Sequence, residues 1–459
     1  MNTRQFVLFA TTASAFLAPV MASSINIALP AIGKEFALNA VALGWVASAY
    51  LLTSAAFVLT FGKLADIYGR RRVYQCGLTL FAAASVLCAL APSAALLIAF
   101  RSAQGVGAAM VFGTGIALLT SVYPANVRGK ALGINVASTY AGLSLGPVIA
   151  GALTEYVGWR SLFWANAVAT LLILAAVLLN IREEWAGTPG ERVDWLGAAL
   201  SSATLIFIML GVARLPKPAG IVLICAGCAG LAAFVAWESR AQFPLLNIRL
   251  FRANRVFAFA NLAALINYSA TFAISFLLSL YLQYIKGLTP KQAGLTLIAQ
   301  PAVMAILSPL CGRLSDRMSS RTLASSGMAI IVIGLGLLSR LTTDDSMTFL
   351  IAAQMLLGFG FALFSSPNTN AIMSAVEKPD YGVAAAAFAT MRSTGQAFSL
   401  GVAMLMFALF LGDVKLSEAA PAQFLRSLDT AFFVFAALCV IGVFASLARG
   451  KRLNNSHEI

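Results

Sequence analysis

Apolar residues fill long stretches of this chain, and polar or charged residues are confined to short intervals between them. A helix needs roughly 20 mostly apolar residues to cross about 30 Å of hydrocarbon, and windows of this kind recur fourteen times. The pattern therefore predicts an all-α polytopic membrane protein. The predicted spans are 6–29, 42–61, 73–91, 94–119, 130–153, 161–180, 195–213, 219–237, 256–283, 291–311, 322–340, 347–376, 382–411 and 427–448.

The two halves of the chain repeat each other. The pattern Gly62-Lys-Leu-Ala-Asp66 follows the second span, and Gly312-Arg-Leu-Ser-Asp316 follows the tenth, 250 positions later. The first and ninth spans begin at the same offset, and glycines of the fourth and twelfth spans match at 253. Duplicated halves are typical of many transporter folds.

The repeat predicts a division of the chain into six, two and six helices. We expect an N-terminal lobe over residues 1–181, a linker with two inserted spans over 182–254, and a C-terminal lobe over 255–459. Within the linker, residues 243–252 mix apolar and basic side chains, which is typical of an interfacial helix.

Composition and charge fit the same picture. The chain is 60% hydrophobic and 10% charged, which excludes an ordinary soluble domain. Twenty of its 31 Lys and Arg lie on the face that carries both termini and nine on the other. This bias predicts cytoplasmic termini and accounts for the net charge of +14 without a nucleic-acid partner. The single histidine, His457, lies in the polar tail, so no histidine metal site is expected within the membrane.

The loop after the second span reads Gly62-Lys-Leu-Ala-Asp66-Ile-Tyr-Gly69-Arg70-Arg71. It resembles motif A of the major facilitator superfamily, and nearly the whole chain resembles that family's fourteen-helix drug:proton antiporter branch (QacA/EmrB-type). Glycine permits a tight turn, and the carboxylate of Asp66 can accept hydrogen bonds from helix amides or arginines. The resemblance implies a latch that closes this face in one state. The alternative is a solvated loop that only sets topology.

The fourth span carries Arg101-Ser-Ala-Gln104-Gly105, which is similar to motif B of the family. An arginine near the centre of a span costs about 2.5–3.5 kcal/mol to insert, so it normally faces a partner or a wet cavity. The resemblance implies that Arg101 takes part in proton coupling and that Gln104, one turn away, shares its cavity. A structural arginine bonded to backbone carbonyls is the alternative.

The fifth span carries Gly142-Leu-Ser-Leu-Gly146-Pro147-Val-Ile-Ala-Gly151, which is similar to motif C of the antiporters. Glycines four positions apart let another helix approach closely, and a proline removes one backbone hydrogen bond. The sequence predicts a tight hinge here, and the resemblance implies export. Ordinary close packing of small residues is the alternative.

Acidic residues are absent from the centres of the predicted spans. The first span ends Asn26-Ile-Ala-Leu-Pro30, which is similar to the family's N-V-A-L-P, and many members of the branch carry an aspartate five residues earlier, where this chain has Met21. Glu155 and Asp66, both at helix ends, remain as candidate coupling acids. Each has the alternative role of a cap or a latch.

The charges predicted at depth are Arg101 and Arg392. Two guanidinium groups without an acid disfavour lipophilic cations and tolerate neutral or anionic amphiphiles. Polar and aromatic residues on the cavity-lining helices of this fold give a predicted substrate surface, although each has the alternative of bonding a neighbouring helix. These residues are Asn26, Tyr50, Gln104, Asn135, Tyr140, Asn267, Tyr268, Gln300, Gln354, Asn368, Arg392 and Gln396.

Together these features predict a secondary transporter of the cytoplasmic (inner) membrane. We expect it to export amphiphilic small molecules in exchange for protons by alternating access, as a monomer and without a cofactor. An importer or uncoupled facilitator for a small neutral or anionic metabolite is the alternative. An intramembrane lipid-modifying enzyme is disfavoured, because no His, Asp or Glu within a span can serve as general base.

Overall fold

Long helices make up nearly all of the computed structural model. It describes residues 3–188, 190–376, 381–412, 414, 416 and 418–449, with the side chains of 125–130, 316, 381 and 382 excepted. Two residues singled out in the sequence, Asp316 as a side chain and His457, lie outside this part. The helices are α1 (Thr3–Phe36), α2 (Ala40–Tyr68), α3 (Arg70–Ala89), α4 (Ala94–Val122), α5 (Ala125–Tyr156), α6 (Arg160–Asn180), α7 (Trp195–Arg214), α8 (Pro218–Glu238), α9 (Ile248–Ala253), α10 (Arg255–Thr271), α11 (Ile274–Leu280), α12 (Pro290–Leu297), α13 (Ala299–Arg317), α14 (Ser320–Leu338), α15 (Met347–Ser374), α16 (Tyr381–Phe410) and α17 (Pro421–Leu447).

Fourteen helical stretches within the described residues are long and apolar enough to span a membrane. This confirms the predicted all-α fold with fourteen spans. Two spans differ from a simple helix. The ninth consists of α10, α11 and a π-helical turn at Tyr281–Ile285, and the tenth consists of α12 and α13. α12 ends at Leu297 because Pro301, four residues on, has no N–H to donate to the Leu297 carbonyl.

Local sequence explains where several helices begin. The side chain of Asn39 accepts a hydrogen bond from the Ala42 amide at 2.8 Å, and the side chain of Asn254 accepts one from the Phe257 amide at 2.9 Å. Such N-caps satisfy amides that have no partner within the helix. Between α2 and α3, Gly69 takes a φ of 116°, which a residue with a side chain rarely adopts.

The helices before and after the inserted pair form two packed groups. α1 packs on α5 and α6, α2 on α4, and α3 on α4 and α6. In the second group α10 packs on α16 and α17, α14 on α15 and α17, and α13 on α15. The inserted helices α7 and α8 pack on each other, and α7 also contacts α2 and α16. The domain boundaries at residues 181 and 254 stay a prediction.

The two groups touch each other along α2 and α16, α5 and α12, and α1 and α11. We call the face where α1 begins and α17 ends the terminal face. Three hydrogen bonds join the groups towards the opposite face. Ser279 Oγ donates to the Asn26 carbonyl at 2.7 Å, Gln283 Nε2 to the Ile27 carbonyl at 3.2 Å, and the Lys291 amide to a Glu155 carboxylate oxygen at 3.0 Å.

Candidate functional site

A cavity of about 240 Å³ lies between the two groups at mid-depth. Side chains of α1, α2 and α5 form one side of its wall, and side chains of α10, α13, α15 and α16 form the other. We call it the central cavity. Residues of the predicted substrate surface that line it are Asn26, Tyr50, Tyr140, Tyr268, Gln300, Arg392 and Gln396.

Besides several hydroxyl groups, three amides and one guanidinium group contribute polar atoms to the wall. In the described part of the chain, the side chains of Asn26, Gln300, Gln396 and Arg392 have no hydrogen-bond partner in the protein, and Arg392 has no ion pair. A guanidinium group offers five N–H donors in a planar fork that matches a carboxylate or phosphate. No acidic residue is among the described residues that line the cavity. These four side chains can therefore bind a ligand, and the charge they contribute is positive.

Aromatic rings form much of the remaining wall. The ring of Tyr268 meets the ring of Phe361 edge to face at 5.6 Å, and the ring of Phe388 at 6.4 Å. From the other group, the Tyr140 hydroxyl shares a hydrogen bond of 2.9 Å with the Ser365 hydroxyl, which joins α5 to α15. Rigid aromatic faces bind flat apolar surfaces at low entropic cost.

Arg101 lies behind the cavity wall rather than in it. Its side chain is fully buried, with Nε donating to the Val46 carbonyl at 3.2 Å and Nη1 to Gln104 Oε1 at 2.5 Å. The guanidinium carbon sits 4.6 Å from the centre of the Tyr50 ring, and Tyr50 also lines the cavity. The remaining nitrogen of Arg101, Nη2, has no hydrogen-bond partner among the residues that the structure describes. The charge of Arg101 thus reaches the cavity through one aromatic ring.

The structure places four predicted cavity amides outside the central cavity. Gln104 donates to Ser85 Oγ at 2.8 Å, and Asn135 donates to the Thr11 carbonyl at 3.0 Å. Asn267 and Gln354 are buried within the second group, where both side-chain atoms of Asn267 and Nε2 of Gln354 lack partners. Together with Asn368, five of the twelve residues of the predicted substrate surface therefore lie outside the wall. Sequence spacing did not reveal which face of each helix turns to the cavity.

Asn368 also lies outside the cavity wall. It is fully buried, and its Nδ2 donates to the Ala260 carbonyl of α10 at 3.2 Å. This bond joins α15 to α10, which is the alternative that the sequence left open for each polar residue within a span.

The motif A residues form an ion pair at the terminal face. Arg70 donates to Asp66 Oδ1 from Nη2 at 2.6 Å and from Nε at 2.9 Å. Its Nη1 donates to Ser121 Oγ of α4 at 2.6 Å. The ends of α2, α3 and α4 are therefore tied together through one guanidinium group. Arg71 Nη1 donates to the Arg182 carbonyl of the linker at 2.8 Å.

The linker after α6 packs directly onto motif A. The Glu184 carboxylate accepts from the Arg71 amide at 2.8 Å, and Lys63 pairs with Glu191 at 2.5 Å. At Gly187, an added Cβ would lie 2.8 Å from Arg70 Nη2, so the backbone approaches the ion pair closely. Sequence reasoning missed this contribution of Glu184, Gly187 and Glu191, because the sequence pattern of this segment is simply that of a polar connector. Gly62 is less constrained, since an added Cβ there would meet only a carbonyl at 3.8 Å.

The motif C glycines allow α5 to contact two other helices. An added Cβ on Gly142 would collide with the Phe16 carbonyl of α1, and one on Gly146 with Ser23 Oγ. At the other end of the motif, a Cβ on Gly151 would lie 2.7 Å from the Pro290 carbonyl of α12. Pro147 lies within α5 and lines the central cavity. Motif C therefore lies where α5 packs against α1 of its own group and against α12 of the other group.

Glu155 is exposed at the opposite face. Its carboxylate accepts from the Lys291 amide, and Lys291 Nζ donates to the Tyr156 hydroxyl at 2.9 Å. The carboxylate therefore caps the first turn of α12 and joins the two groups. It does not line the central cavity.

The sequence model of the Major Facilitator Superfamily matches residues 11–400, with a second match over residues 260–457. The chain belongs to the major facilitator superfamily. A superfamily member of this kind is a transporter and not an enzyme, and the fourteen apolar helices make it a multi-pass membrane protein.

Known superfamily members resemble the chain over most of its length. It is 28% identical to the riboflavin transporter RibZ of Clostridioides difficile (strain 630), over 99% of this chain and 100% of that protein. It is 32% identical to the multidrug resistance protein Stp of Mycobacterium tuberculosis (strain CDC 1551 / Oshkosh), over 92% of this chain and 79% of that protein. Such bacterial relatives indicate the cell membrane.

The fold also matches a solved superfamily structure. A bacterial homologue of the human lysosomal transporter Spinster, in an inward-facing and unoccupied conformation, superposes with a TM-score of 0.72 at 18% identity. The match covers 97% of each chain. This likeness concerns the fold alone.

Apolar wall residues were not predicted from the sequence. Phe112, Phe272, Phe361 and Phe388 line the central cavity beside the polar residues. A phenylalanine within a span can face lipid, the core or a cavity, and the sequence pattern is the same in each case. Periodicity alone therefore does not identify these four residues. The available signal was their spacing from predicted polar residues, since Phe272 is four positions from Tyr268 and Phe388 is four positions from Arg392.

Proposed function

We propose that this protein exports neutral and anionic amphiphilic small molecules in exchange for protons, alternating access to the central cavity. The observation that carries the proposal is the lining of that cavity. Aromatic rings surround three unengaged amides and the unpaired guanidinium group of Arg392, and the described lining includes no acid.

The charge of the cavity favours some substrates over others. A cation entering the central cavity loses water and gains no carboxylate, whereas an anion can pair with Arg392. Arg101 adds a second positive charge behind Tyr50. Charge-assisted hydrogen bonds contribute about 1.5–3 kcal/mol each, which corresponds to roughly tenfold to hundredfold in affinity. Anionic and neutral amphiphiles are therefore the proposed substrates.

Proton coupling is proposed to depend on Arg101 as a positioning residue. A guanidinium group does not release its proton in a protein, so Arg101 cannot carry the transported proton itself. Its bond to the Val46 carbonyl joins α4 to α2, its bond to Gln104 lies within α4, and its charge acts on Tyr50 at the cavity wall. Asp66 and Glu155 are the proposed acids, because Asp66 pairs with Arg70 at the terminal face and Glu155 joins the two groups at the opposite face.

The proposed orientation places both termini in the cytoplasm, as the excess of basic residues on the terminal face favours. Three hydrogen bonds that join the groups lie towards the opposite face, so the described conformation is proposed to be closed to the exterior. Motif C at Gly142, Gly146 and Gly151 supports export, and the resemblance to the multidrug resistance protein Stp supports the same direction. We expect the monomer to be sufficient.

Flux into inside-out membrane vesicles tests this function. An imposed proton gradient, acidic inside, should drive accumulation of anionic and neutral dyes, and a protonophore should abolish it. Arg101→Ala should remove gradient-driven uptake while the protein still purifies as a folded species. Uptake that is unaffected by the protonophore would refute proton exchange. Normal coupled uptake by Arg101→Ala would refute the positioning role of Arg101.

A metabolite transporter is the second candidate. The resemblance to the riboflavin transporter RibZ over the whole chain favours it. Under this alternative, substrate flux in right-side-out vesicles is inward and follows the substrate gradient without a proton gradient. Measuring flux in both inside-out and right-side-out vesicles therefore distinguishes a proton-driven exporter from a metabolite transporter.

A further inference from the structure

A second cavity, of about 640 Å³, lies between the inserted helices and the rest of the protein. Its wall comes from α2, α7, α8, α10 and α16, and from residues 246–251 of the linker. We call it the lateral cavity. It is separated from the central cavity by single helices. On α16, for example, Arg392 faces the central cavity while Met391 and Thr394 face the lateral one.

The wall of the lateral cavity is hydrocarbon. Leu52, Leu205, Phe234 and Phe398 are typical of it. Three of the hydroxyl groups in the wall turn back to their own helices: Ser201 donates to the Ala198 carbonyl, Ser269 to the Leu265 carbonyl and Thr390 to the Ala386 carbonyl. A polar molecule entering this space would lose most of its hydration and gain few hydrogen bonds in return. The chemistry of the wall selects an apolar occupant.

Hydrocarbon from the bilayer can reach this cavity past α8. Leu231 lines the cavity and is 48% exposed. Other α8 side chains such as Val222 are up to 67% exposed, as expected for a helix in contact with lipid. Pockets of roughly 300–1,000 Å³ hold molecules of drug size, so a volume of about 640 Å³ suits one acyl chain.

The end of the lateral cavity at the terminal face has basic side chains beside it. Ile248 and Phe251 of α9 line the cavity, while Arg249 and Arg252 of the same short helix are exposed. Since α8 ends at Glu238 and α10 begins at Arg255, this segment lies at the membrane surface. A buried Glu238 carboxylate oxygen accepts from the Leu246 amide at 3.1 Å and holds the linker against the cavity. Apolar and basic side chains on one interfacial helix complement an anionic lipid.

We propose that the lateral cavity binds one acyl chain of an anionic membrane phospholipid whose phosphate lies against Arg249 and Arg252. The lipid fills the space between the inserted helices and the helices α2 and α16, which also form the central cavity. The inserted helices α7 and α8 thus hold a lipid molecule beside the transport pathway. This site is separate from the proposed substrate site.

Lipid labelling of the full-length protein tests the proposal. The protein is placed in vesicles of phosphatidylcholine with a minor fraction of phosphatidylglycerol that carries a photoreactive group at the end of one acyl chain. Peptides from α7, α8 and α16 that line the lateral cavity should be labelled. Ile208→Trp places a bulky side chain in the cavity and should remove this label.

A charge variant that leaves the membrane core intact tests the headgroup contact. Arg249→Ala combined with Arg252→Ala should weaken phosphatidylglycerol retention by about thirtyfold, which corresponds to about 2 kcal/mol. Arg313→Ala combined with Arg317→Ala removes two exposed charges elsewhere on the terminal face and should leave retention unchanged.

Three outcomes would overturn the proposal: labelling confined to outward-facing side chains, equal retention of phosphatidylcholine and phosphatidylglycerol, or displacement of the lipid probe by a transported dye. The last result would instead make the lateral cavity a substrate site. None of these outcomes depends on the direction of transport or on proton coupling.

Discussion

Replacing Gly142 by alanine should separate α1 from α5 and impair the transport cycle. The added Cβ would collide with the Phe16 carbonyl and would lie 3.2 Å and 3.4 Å from the Phe16 carbonyl carbon and Cα. These are backbone atoms, so no side-chain rotation relieves the contact, and the helices must move apart by about 1 Å to restore ordinary contact. Overpacking of this kind costs about 1–3 kcal/mol, against about 0.5–1 kcal/mol gained from the better helix propensity of alanine.

Gly133→Ala is the matched control on the same helix. An added Cβ at Gly133 meets nothing within 4 Å. This variant should therefore gain only the free energy of the better helix propensity of alanine and be slightly more stable than the wild type. Thermal unfolding of the two purified variants in detergent, together with dye flux in vesicles, measures the difference. The close-approach argument for Gly142 fails if both variants unfold at the same temperature and transport at the same rate.

Three further substitutions test the remaining parts of the site. Arg101→Lys should lower coupled transport by about tenfold or more, because one ammonium group cannot reproduce the forked bonds of arginine to Gln104 and the α2 backbone; proton-driven flux measures it. Gly187→Ala should displace Arg70 from its ion pair with Asp66 without removing a charge. The distribution of distances between spin labels on α2 and on the linker should then become broader. Glu155→Gln should weaken the contact between α5 and α12 and raise the fraction of molecules open at that face, as read from spin-label distances; an unchanged distribution would contradict this.

Hydrophobic patterning alone predicted the fourteen spans of this protein. Fourteen apolar stretches require fourteen spans, because a bilayer leaves no other way to satisfy the backbone. Interruptions within a span were harder to place. The break between α12 and α13 follows from Pro301, but the transition from α11 to a π-helical turn at Tyr281–Ile285 has no comparable sequence signal.

The candidate site was predicted in part. Long polar side chains such as those of Arg392 and Gln396 are predicted to line a cavity, because a polar side chain within a span needs a polar partner or water. Both residues line the central cavity. Gln104 satisfied the same criterion and serves instead to bond Arg101 and Ser85 within one lobe. Which of two equally polar faces meets a cavity depends on how helices pack across the lobe. The packing of helices against each other does not follow from the residue pattern of a single sequence.

The charge of Arg392 offers the most direct test of substrate selection by the central cavity. The measurement is the KM for a structurally matched pair of dyes, one anionic and one cationic, in the wild type and in Arg392→Lys, Arg392→Gln and Arg392→Glu. We expect the wild type and Arg392→Lys to prefer the anion, Arg392→Gln to raise the KM for the anion by about tenfold or more, and Arg392→Glu to prefer the cation. A wild type that transports only the cation, or an anion KM that does not change when the charge of residue 392 is removed, would contradict an electropositive transport pathway.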